Sequence, residues 1–348
     1  MTNLIKFILH RSPKSVGLTY QAKGFTLIEL LVSVVLSGLV ITPLFIFLLN
    51  ILGSDSKEQA KATSDQEIQS ALDYIAQDLE QAVYVYDNTG LTNTFTDDDD
   101  TSPGIQDQIP PVDGANLCPA NHTCTPVLVF WKRQFLANTQ AIGATDTVGT
   151  FTGGNDTFVF ALVGYYLLQP NAGVDASPWS NVARIGRFEI RDGVPDISTG
   201  TFISQGRDVG FDLFNLEGSG TLDSKLKRWQ KDAAAYTTAG VTNYPSRDIL
   251  LDFVEVSNST APQPACGPRE ARIGNNGFFV CVEDETTIAA RSPGEPPRDT
   301  TLAQVHIRGN ALARIPQLFI NTNYSDEQSI FFPLASVQIE GRGFLFTR

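Results

Sequence analysis

The residue whose chemistry stands out is a single carboxylate inside an otherwise apolar run. Residues 25–52 read FTLIELLVSVVLSGLVITPLFIFLLNIL, and Glu29 is the one charged side chain among them. An ionised carboxylate within a membrane helix is costly, so such a group usually persists only with a partner or a role. A fixed cation would compensate its charge. The sequence therefore predicts that Glu29 has a partner or a role within this apolar run.

Cysteines offer a second kind of chemistry. The four are Cys118, Cys124, Cys266 and Cys281, and they fall into two close pairs. An even number in an exported domain predicts two disulfides, although four cysteines allow three connectivities. Short loops close readily, which favours Cys118–Cys124 and Cys266–Cys281. A metal site is the weaker interpretation, because neither pair has the C-x2-C spacing and only His122 lies near.

Nothing in the sequence resembles catalytic machinery. The three histidines are His10, His122 and His306. His306 alternates within QVHIR and is predicted to be a strand residue. The chain has no G-x-S-x-G, H-E-x-x-H or Walker A motif. We therefore predict a protein that is not an enzyme and needs no cofactor.

The element that carries Glu29 is long enough to cross a membrane. About 20 apolar residues span the hydrocarbon core as a helix, and this run has 28. Residues 1–24 hold four basic side chains and no acidic one, which predicts that they stay in the cytoplasm while the C-terminus is sent outward. Gly38 and Pro43 predict a kink in this helix, because proline removes a backbone donor. An ordinary membrane-helix kink and a functional one are equally open.

Residues 23–32, KGFTLIELLV, closely resemble the class III signal of type IV prepilins and pseudopilins. The resemblance implies that a prepilin peptidase in the inner membrane cuts between Gly24 and Phe25 and methylates the new amine of Phe25. It also implies that Glu29 meets a neighbouring subunit's N-terminal amine during assembly. A plain signal anchor would explain the length and the basic flank, but not Glu29.

The helix is expected to continue beyond the membrane. Residues 54–83 are rich in helix formers, and Gly53 is the point at which a break and a new cap at Ser54 or Asp55 would fall. One apolar stripe recurs at helical spacing. Its residues are Ile68, Leu72, Ile75, Leu79 and Ala82. The phrase ALDYIAQDLEQA at 71–82 looks like the helix of larger minor pilins and pseudopilins, including PilW-like proteins and the J-type minor pseudopilin of type II secretion.

The rest of the chain is predicted to be β-rich, which gives an α+β fold. Residues 87–126 are loop-like and contain Asp97–Asp100, for which a solvated acidic loop is favoured over a Ca²⁺ site. A short helix is predicted at 222–235, and Pro-rich loops at 257–268 and 286–299. Strands are predicted at Val127–Trp131, Thr157–Leu168, Ile185–Arg191, Ile249–Val256, Gly277–Val282, Gln304–Arg308 and Ala335–Phe346.

These elements, together with the cleavage that the resemblance implies, predict four regions along the chain. They are a cytoplasmic leader at 1–24 that is removed, a transmembrane and assembly half of the helix at 25–52, an amphipathic half at 53–86, and an antiparallel β-rich extracytoplasmic head with long loops at 87–348. The formal net charge is −13 and becomes −17 without the four basic residues of the leader. So acidic a body argues against nucleic-acid binding, which needs Lys and Arg to neutralise phosphates.

The resemblance implies a minor pseudopilin or pilin in a pilus-like or secretion filament, serving polysaccharide or protein export. Its partners would be the prepilin peptidase, other pilins or pseudopilins and an inner-membrane assembly platform. Large acidic heads with disulfides also resemble the cyanobacterial hormogonium polysaccharide secretion pseudopilins. A minor pilin of a motility or adhesion pilus is the first alternative. The second is a membrane-anchored β-rich carbohydrate-binding domain, in which Trp131, Trp179 or Trp229 stacks on sugar, although core packing fits each of them too.

Overall fold

The structure is a computed structural model of α+β class, in which a long N-terminal helix precedes a head rich in antiparallel strands. It describes residues 24–95, 102–110, 118, 121–174, 177–203, 206–217, 219–232, 248–268, 270–283, 302–315 and 321–340. The chain divides into two compact units, the first ending at Ser54 and the second starting at Asp55. The predicted loop residues Asp97–Asp100, the leader residues 1–23 and the Pro-rich segment 286–299 lie outside the described residues.

The helices and strands have the following bounds. The helices are α1 (Leu27–Leu79), α2 (Asn88–Thr92), α3 (Val148–Thr152) and α4 (Leu222–Leu226), with 3-10 turns at Ala311–Arg314 and Asp326–Phe331. The strands are β1 (Ala82–Val85), β2 (His122–Leu136), β3 (Ala141–Ile142), β4 (Asp146–Thr147), β5 (Thr157–Pro170), β6 (Ala183–Arg191), β7 (Pro195–Asp196), β8 (Thr201–Phe202), β9 (Asp248–Val254), β10 (Glu270–Asn275), β11 (Phe278–Glu283), β12 (Leu302–Arg308) and β13 (Leu334–Glu340).

Helix α1 is the described helix that is long and apolar enough to cross a membrane. Its first part belongs to the first unit, where every residue from 24 to 52 is exposed. The helix runs through Gly53 without a break, so Ser54 and Asp55 are helical residues rather than the cap of a new helix. Leu, Ile and Val side chains that face outward along this whole stretch need an apolar surrounding to bury them.

The second part of α1, from Asp55 onward, confirms the predicted apolar stripe. Ile68, Leu72, Ile75 and Leu79 are each at most 2% exposed. The helix ends at Leu79, however, rather than near residue 86. After the turn residues Glu80 and Gln81, the segment AVYV, three of whose four residues are β-branched or aromatic, forms β1 at the edge of the larger sheet. Ala82, which the stripe included, is buried as a strand residue.

Two antiparallel sheets make up the head. The larger has five strands in the order β1-β2-β5-β6-β9, and the smaller has four in the order β10-β11-β12-β13. One hydrophobic core contains the α1 stripe, side chains of the larger sheet such as Val129 and Val163, and side chains of the smaller sheet such as Val280 and Val305. Two-stranded hairpins, β3-β4 and β7-β8, complete the described strands.

The seven predicted strands are all present with shifted ends, and β13 is described as far as Glu340. A short helix was predicted at 222–235, of which the structure describes the part up to residue 232. Only α4, a helix of five residues, forms there. The chain leaves the helical path because the Trp229 indole donates to the Asp212 carbonyl and the Asp232 N–H donates to Gly210. Strand β10 was not predicted, because its sequence EARIGN has one large apolar residue, Ile273, and ends in the turn-forming pair Gly274-Asn275.

Candidate assembly site

The predicted processing site lies at the exposed N-terminal end of the described chain. Gly24, Phe25 and Thr26 precede the first helical residue, Leu27. The Phe25 side chain is 79% exposed, and a side chain added at Gly24 would meet no atom within 4 Å. No other part of the described chain therefore covers the backbone between Gly24 and Phe25.

Thr26 caps the helix that carries Glu29. The Glu29 N–H donates to the Thr26 carbonyl at 3.0 Å and approaches its Oγ1 at 3.3 Å, and the Leu30 N–H donates to the same carbonyl at 3.1 Å. Glu29 therefore sits in the first turn, where unpaired N–H groups and the helix dipole favour a negative charge. Sequence reasoning missed Thr26, although the T-x-x-E spacing of residues 26–29 is a known N-terminal helix signal.

Gly38 and Pro43 lie inside an uninterrupted part of α1. The Thr42 hydroxyl donates to the Gly38 carbonyl at 2.7 Å, so a side chain supplements the backbone bonds one turn before the proline. Hydroxyl bonds of this kind often bend helices. The kink itself stays a prediction, and the geometry adds Thr42 to the residues that would produce it.

The last turn of α1 is fixed to the larger sheet by buried charges. Asp78 is 8% exposed, and its carboxylate accepts hydrogen bonds from Lys132 at 2.9 Å, Arg187 at 2.8 Å and the Tyr165 hydroxyl at 2.6 Å. Glu189 pairs with both Lys132, at 2.9 Å, and Arg187. Burial alone would raise the pKa of Asp78, but the Arg187 hydrogen bond and the Lys132 charge hold that pKa below its usual value.

A second buried cluster joins the segment after β1 to α4. The Lys227 ammonium, 2% exposed, contacts Asp87 at 2.9 Å and Asp223 at 2.7 Å. The Tyr84 hydroxyl donates to Asp223 at 2.5 Å. Burial would lower the pKa of Lys227, but the charge of Asp223 and the hydrogen bonds to both carboxylates raise it. Lys227 therefore remains a cation that holds two acidic groups inside the head.

Both cysteine pairs lie at disulfide distance in the predicted combination. Cys118 and Cys124 have Sγ atoms 2.01 Å apart, and those of Cys266 and Cys281 are 1.98 Å apart. The first pair holds residue 118 at the start of β2, and the second ties the Pro-rich loop 257–268 to β11. A Glu270 oxygen and the two sulfurs of the second pair lie within 4.8 Å of one another. A metal would need those sulfurs as thiolates, and the disulfide excludes that state.

The remaining candidates divide between core and surface. Trp131 and Trp229 are 0% and 2% exposed and pack edge to face 5.6 Å apart, so they contribute to the core. Trp179 is 43% exposed. His306 lies in β12 as predicted and stacks on Phe279, with ring centroids 4.4 Å apart.

Comparison with known proteins finds one family. The model of the prokaryotic N-terminal methylation motif matches residues 20–45, which contain the proposed cleavage site and Glu29. No curated protein and no solved structure matches the chain. The match supports a type IV pilin-like structural subunit that a prepilin peptidase processes and that assembles with other pilins. Together with the one helix of the described residues that could span a membrane, it fits a pilin anchored in the inner membrane.

Proposed function

We propose that this chain is a minor pseudopilin or pilin, cut between Gly24 and Phe25 and assembled through residues 25–52 into a filament. The observation that carries the proposal is the methylation motif at residues 20–45, on a helix whose apolar side chains are exposed from 25 to 52. In a filament, neighbouring helices bury that surface. The head then lies outside the cytoplasm, where an oxidising environment suits its two cysteine pairs.

In this proposal, assembly into the filament requires Glu29. The Thr26 cap holds Glu29 in the first helical turn, four positions from Phe25. Cleavage creates an amine at Phe25, and the carboxylate of one subunit then accepts a charge-assisted hydrogen bond from the amine of the next. Such a pair is much more favourable away from water than either charge alone.

The test is the variant Glu29→Ala in cells that lack the wild-type chain. The substitution makes the helix more apolar, so insertion and cleavage are expected to survive while incorporation into filaments fails. The matched control is Glu58→Ala, which removes an exposed carboxylate from the same helix beyond the apolar run. Crosslinks to other pilins and sheared surface fractions report assembly. A processed Glu29→Ala protein that assembles like the control would refute the proposal.

Export of polysaccharide or protein is the role we favour within this class, and motility or adhesion is the alternative. The apolar N-terminal helix serves both roles equally, so the head must distinguish them. Its exposed Trp179 favours contact with a polymer over a purely structural place in the shaft. Loss of polymer in the medium with normal motility after deletion of this chain would support export, and the reverse would support a motility pilus.

A further inference from the structure

One end of the larger sheet collects polar and aromatic side chains that neither the core nor the assembly segment uses. Strand β2 starts there with His122, which pairs with Pro170 at the end of β5. Arg184 at the start of β6 pairs with Leu168 of β5. The register therefore brings the start of β2, the end of β5 and the start of β6 to the same corner of the head.

Arg184 is a buried cation at this corner with unused hydrogen-bond donors. It is 3% exposed, and its Nη2 lies 2.9 Å from Nε2 of His122. Among the described residues, its Nε and Nη1 have no hydrogen-bond partner. The protein therefore encloses this guanidinium, which fixes its position beneath the residues that face solvent.

Trp179 covers this guanidinium and faces solvent. The Arg184 Cζ lies 6.0 Å from the centroid of the Trp179 ring, which is a cation–π contact that orients the indole. The ring remains 43% exposed, whereas the other two tryptophans are almost fully buried. An oriented, half-exposed indole is an apolar surface suited to a flat, amphipathic ligand.

A cavity with amide side chains adjoins the same corner. It has a volume of about 440 Å³, and its lining includes Gln169, Asn171 and Asn181. The Gln169 Oε1 accepts a hydrogen bond from Ser257 at 3.0 Å, and the Asn171 Oδ1 accepts one from Thr123 at 3.3 Å. These bonds fix both side chains, and each amide nitrogen brings two donors of its own. An apolar face beside fixed amides is the composition of a small-molecule site.

We propose that this corner binds a neutral glycan, with one hexose ring stacked on Trp179, which Arg184 orients, and its hydroxyl groups bonded to the amides of the cavity. Sugars combine an apolar C–H face with a rim of hydroxyls, which matches the pairing of an indole with amides. A polyanion fits less well. Asp252 stands at this corner and accepts hydrogen bonds from the N–H and hydroxyl of Ser180, and the chain as a whole is acidic. The inference does not depend on filament assembly.

The experiment uses the full-length protein in a detergent without a sugar head group. The protein is first applied to an array of neutral and uronic-acid oligosaccharides, and the best neutral ligand is then titrated. Trp179 is the exposed tryptophan, so binding is expected to produce a saturable change in intrinsic fluorescence. Calorimetry with Trp179→Ala should show affinity reduced by roughly tenfold or more, and Trp179→Phe should retain part of it.

The matched control is Phe202→Ala, which removes an aromatic ring of similar exposure, 45%, from β8. It should bind the glycan like the wild type, and circular dichroism should show that all variants fold. Three results would each overturn the proposal. They are no binding to any neutral oligosaccharide on the array, binding of uronic acids alone, or equal losses in Trp179→Ala and Phe202→Ala.

Discussion

Glu255 follows strand β9 and is only 1% exposed, with Asn310 donating one hydrogen bond to its Oε2 at 2.8 Å. Burial raises the pKa of Glu255 from 4.5 to about 7, although the hydrogen bonds of Ser259 and Asn310 and the charge of Arg308 oppose the rise. A carboxyl group whose pKa is higher in the folded than in the unfolded chain makes stability depend on pH.

The sign of that dependence can be stated. Between pH 4.5 and about 7 the folded head keeps a proton on Glu255 that the unfolded chain releases. Raising the pH through this window therefore lowers the free energy of unfolding, by at most about 1.4 kcal/mol per pH unit. In Glu255→Gln this contribution is absent. The free energy of unfolding should therefore fall less between pH 5 and pH 8 in this variant than in the wild type.

Urea unfolding of both proteins at the two pH values measures the effect, with tryptophan fluorescence as the probe. Glu217→Gln, a change at an exposed glutamate, is the matched control and should follow the wild type. An identical pH dependence in wild type and Glu255→Gln would show that Glu255 does not titrate in this window.

At the scale of elements, the polar contacts between α1 and the larger sheet converge on one carboxylate. Asp78 accepts bonds from Lys132, Arg187 and Tyr165 in a buried setting. In Asp78→Asn the two cations keep only Glu189 as a counter-charge. Removing one partner of a buried ion pair typically costs about 3–5 kcal/mol.

We therefore expect Asp78→Asn to lower the urea midpoint of the head strongly, without changing membrane insertion. Asp73→Asn makes the same chemical change at an exposed position of the same helix and should be close to neutral. Equal stability of the two variants would contradict a structural role for the Asp78 cluster.

The sequence could predict features that leave a local pattern, but not contacts between residues far apart in the chain. Helical periodicity gave the stripe Ile68 to Leu79, because burial along one face leaves a pattern within a single segment. The partners of Asp78 lie 54 to 109 residues away, so no local pattern reveals them. The same holds for Arg184 and Trp179, where the fold decides which charged or aromatic residue is buried. Thr26 is different, because its signal, the T-x-x-E spacing of residues 26–29, is local and needs no knowledge of the fold.

At the scale of the whole molecule, the sign of the charge changes at the proposed cleavage site. Residues 1–24 carry four basic side chains, and the remainder carries a net charge of −17. Basic residues beside a membrane helix keep that end in the cytoplasm. Removal of the leader would discard this basic end and leave an acidic head on an apolar helix with a new amine. Cleavage after Gly24 is thus the event that converts a membrane precursor into an assembly-competent subunit in our proposal.

Gly24→Val tests that event directly. The peptidase must approach the backbone at residue 24, and valine places a branched side chain there. A Cβ at Gly24 meets no atom of the described residues within 4 Å. A processing defect would therefore reflect the peptidase rather than misfolding. Gly38→Val is the matched control, because its Cβ also has open space and it lies inside the helix. Mass spectrometry of the membrane fraction should find the leader retained in Gly24→Val and absent in Gly38→Val. A mature N-terminus at Phe25 in Gly24→Val would contradict cleavage at this bond by such a peptidase.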